Sequence, residues 1–227
     1  MTGPRHTSRS SHRRGCSING KLRIAFLFLA ALGACGVVVA DDGWQLAKEE
    51  NGIRIYLKDV PGSKYQSFRG VVRIKASVQT IGDLQENLRV ACKWLYACKQ
   101  LRLLKNDGDD TWVYMTLDLP WPVVPRDLVI HVNTRRTDDG GMVRDLNGVP
   151  DYLPPVQGVI RVPELAGHWK LVPKGQNLTE VSYEMRGEPG GSVPSWLSNS
   201  FVVDAPLETL RTLRAVAERQ GVRAPSQ

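Results

Sequence analysis

Apolar and polar residues alternate along much of this chain, and the alternation sets out a series of strands. In "GIRIYLKDV", Ile53, Ile55 and Leu57 share one face, after an Asn51-Gly52 turn and a short helical start in "WQLAKEE". "SFRGVVRIKASV" is a second strand of the same kind. From Thr80 to Leu88 the period lengthens, and Ile81, Leu84 and Leu88 fall on one helical face. "CKQLRLLKNDGDDTWVYMTLDLPW" then reads as a β-hairpin turning at Asn106-Asp107-Gly108-Asp109.

Beyond it, "DLVIHVNTRR" is a strand, "TDDGGMV" turns into another, and "GVPDYLPPVQG" is a Pro/Gly-rich loop long enough to cover something. Val159 to Pro189 supplies three more strands, with turns expected at Ala166-Gly167 and at Lys174-Gly175-Gln176. The C-terminal segment is helical. Ser192 is its expected cap with Pro194 in the first turn, and Pro206 is expected to kink it or restart it behind Asp204. Leu207, Leu210, Leu213, Val216 and Ala217 make one apolar stripe, with Arg211, Arg214, Glu218 and Arg219 opposite. The order predicts an α+β fold, a curved antiparallel β-sheet wrapped around a long C-terminal α-helix. An internal hydrophobic cavity between the two suits an apolar ligand.

Charge changes the picture at one end only. The formal net charge is +7, yet six of the 30 basic residues lie in residues 1–40, where no acidic residue occurs. The body keeps 24 basic residues against 23 acidic ones, which lacks the electrostatic footprint of a nucleic-acid binder. The basic start precedes an apolar run, "IAFLFLAALGA", so residues 1–40 read as a signal peptide and the body as an exported, periplasmic protein. Val38-Val39-Ala40 ahead of Asp41 suits an ordinary signal peptidase. Leu32-Gly33-Ala34-Cys35 instead resembles a bacterial lipobox, with Cys35 acylated and the domain tethered to a membrane. An uncleaved N-terminal anchor is the third reading, for a run shorter than the ~20 residues of a comfortable span. Residues 41–220 form one domain and 221–227 a flexible tail.

Export makes Cys92 and Cys98 a disulfide candidate. On one straight helix their Cα atoms would stand about 9 Å apart, too far to bridge. Either the helix breaks near Lys93-Trp94 and they pair, or both are reduced core cysteines. No metal set surrounds them. Catalytic signals are absent: no G-x-S-x-G, H-E-x-x-H or phosphate loop occurs, and His131 and His168, the histidines of the body, have no motif around them. His131 sits in a strand alternating Leu128/Ile130/Val132 with Val129/His131/Asn133.

The stretch "LDLPWPVVPRDLVIHV" places three prolines and an Arg-Asp pair between two strands. Its "PWPVVPRD", together with "QGVIRV" (157–162), "HWKLVP" (168–173), "PGGSVPSWLSN" (189–199), W-L-x-x-C at Trp94 to Cys98 and W-x-L-x-K-E-x-x-G-I-x-I-Y at Trp44 to Tyr56, resembles the START domain family (steroidogenic acute regulatory protein-related lipid transfer). The resemblance spans roughly residues 42–220. It implies a helix-grip fold around one hydrophobic tunnel, with the C-terminal helix and a neighbouring loop as lid.

The implied activity is non-covalent binding and transfer of a single lipid (sterol- or hopanoid-like, fatty acid or phospholipid), with no cofactor, by a monomer that meets a membrane surface transiently. Arg126 would then lie in the cavity wall, meeting a lipid's polar end or an acidic side chain. The acidic partner found in some sterol-binding members falls on Gln100 here, which leaves Asp118 and Asp127 as substitutes. The expected ligand-binding residues are Arg126, Trp121, Met115, Asp118, His131, Trp196, Phe201, Leu207, Leu210 and Leu213. The alternatives are a helix-grip enzyme of the cyclase or hydroxylase kind, with His131, Tyr114 or Asp118 as acid or base, and a lipid sensor reporting to a partner protein.

Overall fold

The chain opens its ordered body with two short strands, β1 (Gln45–Glu50) and β2 (Ile53–Lys58), joined by Asn51 and Gly52. Both turn residues have positive φ, +49° and +75°, which gives the two-residue hairpin turn whose twist matches its strands. The computed structural model of the chain describes residues 42–193 and 195–221, the side chains of 195–200 excepted. The segment "WQLAKEE" is therefore not helical as expected. Pairing of Gln45 with Leu57 and of Glu50 with Ile53 overrides its helix-favouring composition.

Next come β3 (Ser67–Ile74), α1 (Val78–Glu86) and the short α2 (Leu88–Ala91). Ser77 caps α1 by accepting from the Thr80 backbone N–H, so the helix begins earlier than its apolar period indicates. The long hairpin β4 (Cys98–Asp107) and β5 (Asp110–Leu117) follows, then β6 (Arg126–Arg136), β7 (Met142–Gly148), the two-residue β8 (Ile160–Arg161), β9 (Glu164–Pro173) and β10 (Thr179–Glu188). The helix α3 (Ser195–Gly221) closes the fold. No turn occurs at Ala166-Gly167; both lie inside β9, paired with Arg186 and Met185.

The strands form one sheet in the order β1-β2-β3-β10-β9-β7-β6-β5-β4, antiparallel throughout except that β8 runs parallel to β6. The β3–β10 pairing brings the first strands against the last, so the sheet curves round and α3 lies across β2 and β3. Leu207, Leu210, Leu213 and Ala217 from α3 pack with Ile53, Ile55, Val72 and Ile74 of the sheet and Ile81 and Leu84 of α1. Each such large side chain contributes about 1.5–3 kcal/mol by leaving water. Gly70 is the point of closest approach. A Cβ there would sit 2.5 Å from Leu210 Cδ1. Pro206 neither ends nor restarts α3: the helix runs through it, giving up one backbone hydrogen bond where the Leu207–Ala217 face is already anchored.

Helix α2 stops at Ala91, so Cys92 and Cys98 are not on one straight helix. A non-helical segment containing Ala97 at φ +52° turns the chain back, and the two cysteines form a disulfide with Cα atoms 4.8 Å apart. The expectations placed on residues 1–40, including the signal segment and Cys35, and on the tail beyond 221 lie outside the described residues, as does Pro194.

Candidate functional site

Two cavities lie between the inner face of the sheet and the helices, and they meet at Leu95 and Met115. The larger, about 810 Å³, is walled by alternate residues of β5, β6 and β7 (Val113, Ile130, Val132, Met142, Leu146) and by Leu88, Ala91 and Trp94. It opens at the β4–β5 end, where Leu103, Asn106 and Asp109 are exposed. The smaller, about 240 Å³, is bounded by Phe68, Leu117, Leu119, Leu128 and Met185 and by Phe201, Val202, Ala205 and Thr209 of α3. A period of two along each strand produces both walls, one row of side chains facing inward and the other facing out.

Arg126 borders the smaller cavity at 1 % exposure. Its guanidinium donates to the Val124 carbonyl, to Gly190 O at 3.2 Å and to Pro189 O at 3.5 Å. Burial pushes its pKa down from the usual arginine value. The acidic partners considered for it are engaged elsewhere. Asp127 points to the opposite face of the sheet and takes a bidentate pair from Arg161, both contacts 2.9 Å. Asp118 is exposed and 3.6 Å from Lys99 Nζ, and Gln100 is exposed on β4. Arg126 is thus tied to backbone rather than to a carboxylate, and it fastens the Pro189–Gly190 turn to the start of β6. That turn holds Gly190 and Gly191 at φ +67° and +61°, a conformation that favours glycine.

The expected site residues divide. Arg126, Met115 and Phe201 line the cavities. Trp121 does not: it stands 92 % exposed at the tip of the Leu119–Pro125 loop. Asp118 does not either. His131 lies on the outer face, stacked on Trp112 at 4.5 Å with Nε2 2.6 Å from Asp110, because the inward row of β6 is Leu128, Ile130, Val132. Leu207, Leu210 and Leu213 are packed solidly against the sheet and form core rather than cavity wall; only the first half of α3 reaches a cavity. The Trp196 side chain is outside the described residues.

The Pro/Gly-rich loop covers the outer face of the sheet, not the cavity. Arg161 gathers it by donating to the carbonyls of Pro150, Leu153 and Pro154. The hydrogen bond to Asp127 holds the Arg161 pKa above its usual value. Tyr114, on the same outer face, has its pKa raised by burial and then by Asp127.

Sequence reasoning passed over Arg144 and Gln85 and placed Trp94 only in a family motif, not in the site. All three line the larger cavity at 8 %, 5 % and 4 % exposure. The signal for Arg144 was present: it shares the inward row of β7 with Met142 and Leu146, an arginine between two core positions.

A model of the START domain matches residues 36–223. An uncharacterized protein of Pseudomonas aeruginosa is 53 % identical over 203 residues, 89 % of this chain and all of that one. The phosphatidylcholine transfer protein of Rattus norvegicus is 29 % identical over 162 residues, 69 % of this chain and 75 % of that one. Among solved structures, a STAR-related lipid transfer protein fragment of Xanthomonas axonopodis superposes with a TM-score of 0.73 at 38 % identity, covering 78 % of this chain and 99 % of that one. Human StAR-related lipid transfer protein 5 shares the fold, with a TM-score of 0.70 at 18 % identity over 79 % of this chain and 88 % of that one.

Proposed function

The chain belongs to the START domain family, and on that premise we propose that it binds one lipid in the paired cavities and carries it between membranes without changing it. The observation that carries the reading is the inner space itself: two volumes of about 810 and 240 Å³ that share Leu95 and Met115 in their walls and are lined mainly by aliphatic and aromatic side chains. Cavities of a few hundred to about 1,000 Å³ suit small apolar ligands. The names of relatives agree, since those at 29 % and 38 % identity are called lipid transfer proteins.

An enzyme is the weaker reading on position. His131, Tyr114 and Asp118, the residues best suited to acid–base work, line neither cavity. Exposed Trp121 and Val124, beside the smaller cavity's mouth, supply the apolar tip with which a carrier meets a membrane surface. Export, through residues 1–40, and a monomeric state belong to the same proposal.

Native mass spectrometry of protein purified without detergent from the cells that make it tests the binding half. The expected result is a one-to-one adduct with the mass of an intact lipid. Transfer of that lipid between vesicles should then scale with protein concentration. A lipid-free protein that also leaves the vesicle-to-vesicle rate unchanged overturns the proposal.

A further inference from the structure

The larger cavity is not uniformly apolar. Three buried polar side chains line it, two of them with their hydrogen-bonding capacity wholly unspent and the third with it partly spent. Neither amide atom of Gln85 has a partner among the described residues, and neither has the indole N–H of Trp94. Arg144 donates from Nε to Thr134 Oγ1 at 3.2 Å, and no carboxylate of the described residues lies within salt-bridge distance of its guanidinium. Glu86, the nearest influence of opposite sign, is exposed at the rim.

Leaving groups such as the Gln85 amide and the Trp94 indole dry and unpaired is costly, and burying a guanidinium away from any carboxylate adds to that cost. They are also contributed by separate elements: Gln85 from the last turn of α1, Trp94 from the segment after α2, and Arg144 from the middle of β7. Three independent elements bring polar side chains to one cavity, two of them unpaired and the third a guanidinium with no carboxylate partner, which makes a built site rather than a packing fault. The balance of the cluster is donor-rich: the guanidinium, the indole and the Gln85 amide nitrogen against one amide oxygen. A positive, donor-rich, low-dielectric pocket is complementary to an oxyanion.

We propose that Arg144, Gln85 and Trp94 form the headgroup subsite of the carrier, and that the lipid taken up is an anionic amphiphile whose carboxylate or phosphate meets Arg144 while its chain fills the space towards Met115. The inference rests on the lipid-carrier reading and narrows its substrate class. Arg126 is less suited to this role, since each of its three side-chain nitrogens already donates to a backbone carbonyl.

The test uses the full chain, stripped of lipid, with three probes of one chain length: oleate, 1-oleoyl lysophosphatidate and oleyl alcohol. On the unaltered protein at least one of the two anions should bind about tenfold to hundredfold more tightly than the alcohol, the weight of a charge-assisted hydrogen bond in a dry site. A stronger oleate assigns a carboxylate headgroup, and a stronger lysophosphatidate a phosphate. In Arg144→Met, and to a lesser degree in Gln85→Leu, that preference should collapse, the anions losing far more affinity than the alcohol. Equal affinity for alcohol and both anions on the unaltered protein overturns the subsite and leaves the carrier standing, and needs no variant to fold. An anion preference that survives in a folded Arg144→Met overturns it as well. Failure of all three probes to bind overturns the subsite, while the carrier reading stands or falls on the native mass spectrum and the vesicle transfer rate.

Discussion

Arg126 and Asp127 are neighbours in sequence and face opposite sides of one strand, so their charges are handled separately. Asp127 is fully buried on the outer face, and its two oxygens are met by the fork of Arg161 at 2.9 Å. Removing one member of such a pair leaves the other charge stranded, which costs more than the pair contributes when intact. Asp127→Ala is therefore expected to lower unfolding free energy by about 3–5 kcal/mol in urea titrations. Lipid affinity of the folded fraction should be unchanged, because Asp127 borders neither cavity. A loss of affinity without a loss of stability would place this pair in the binding site instead. What the sequence allowed at this scale was the place of Arg126 at a cavity wall, through the family resemblance. Arg126's partners were not legible, because they are backbone carbonyls, one two residues back and two in a turn 63 and 64 residues away, and no side-chain pattern marks a carbonyl.

Among the elements, α3 decides how much inner space the sheet keeps. Its buried stripe was readable from the helical period of Leu207, Leu210 and Leu213, but not what the stripe would lie against. The answer is Gly70, whose missing side chain lets Leu210 reach the sheet. Gly70→Ala puts a Cβ 2.5 Å from Leu210 Cδ1 and should destabilise by about 1–3 kcal/mol, as overpacking does. Leu210→Ala alone should cost about 2–5 kcal/mol. Thermal or urea unfolding of the double variant should show less than the two losses combined, since each relieves what the other creates. Strict additivity would mean that helix and strand adjust independently of this contact.

The same reasoning explains the misread "WQLAKEE". Its composition favours a helix, but the sheet needs an edge strand there, and the pairing of Leu46 with Tyr56 and of Glu49 with Arg54 settles the matter through tertiary contact. His131 shows the reverse situation. The alternation along β6 already set it opposite Leu128 and Ile130, so its outward position was available from the string alone.

For the molecule as a whole, the question is how a bound lipid leaves. The larger cavity opens at the β4–β5 hairpin, whose strands pair from Cys98–Leu117 to Asp107–Asp110 with register shifts between Cys98 and Gln100 and between Leu103 and Lys105. At the other end the smaller cavity is bordered by side chains from separate segments rather than by sheet alone: Leu119 from the Leu119–Pro125 loop, Val193 from the turn before α3, and Phe201 from α3, with Val123 packed against them from the loop. Loops closing over an apolar mouth are low-stability parts by construction, which suits them to opening. Exposed Trp121 is in the same loop as Val123, so contact with a membrane would act directly on that closure. Cysteines introduced at Val123 and Val193 and oxidised should lock it. The locked protein is expected to hold its lipid at equilibrium but to transfer it between vesicles at least about tenfold more slowly, as a blocked gating step does. Reduction should restore the rate to that of the unaltered protein in the same reductant, a control required because the Cys92–Cys98 disulfide is reduced as well. A locked protein that transfers at the normal rate would move the exit to the hairpin end, where the lipid would have to pass the Leu103 rim with its headgroup leading.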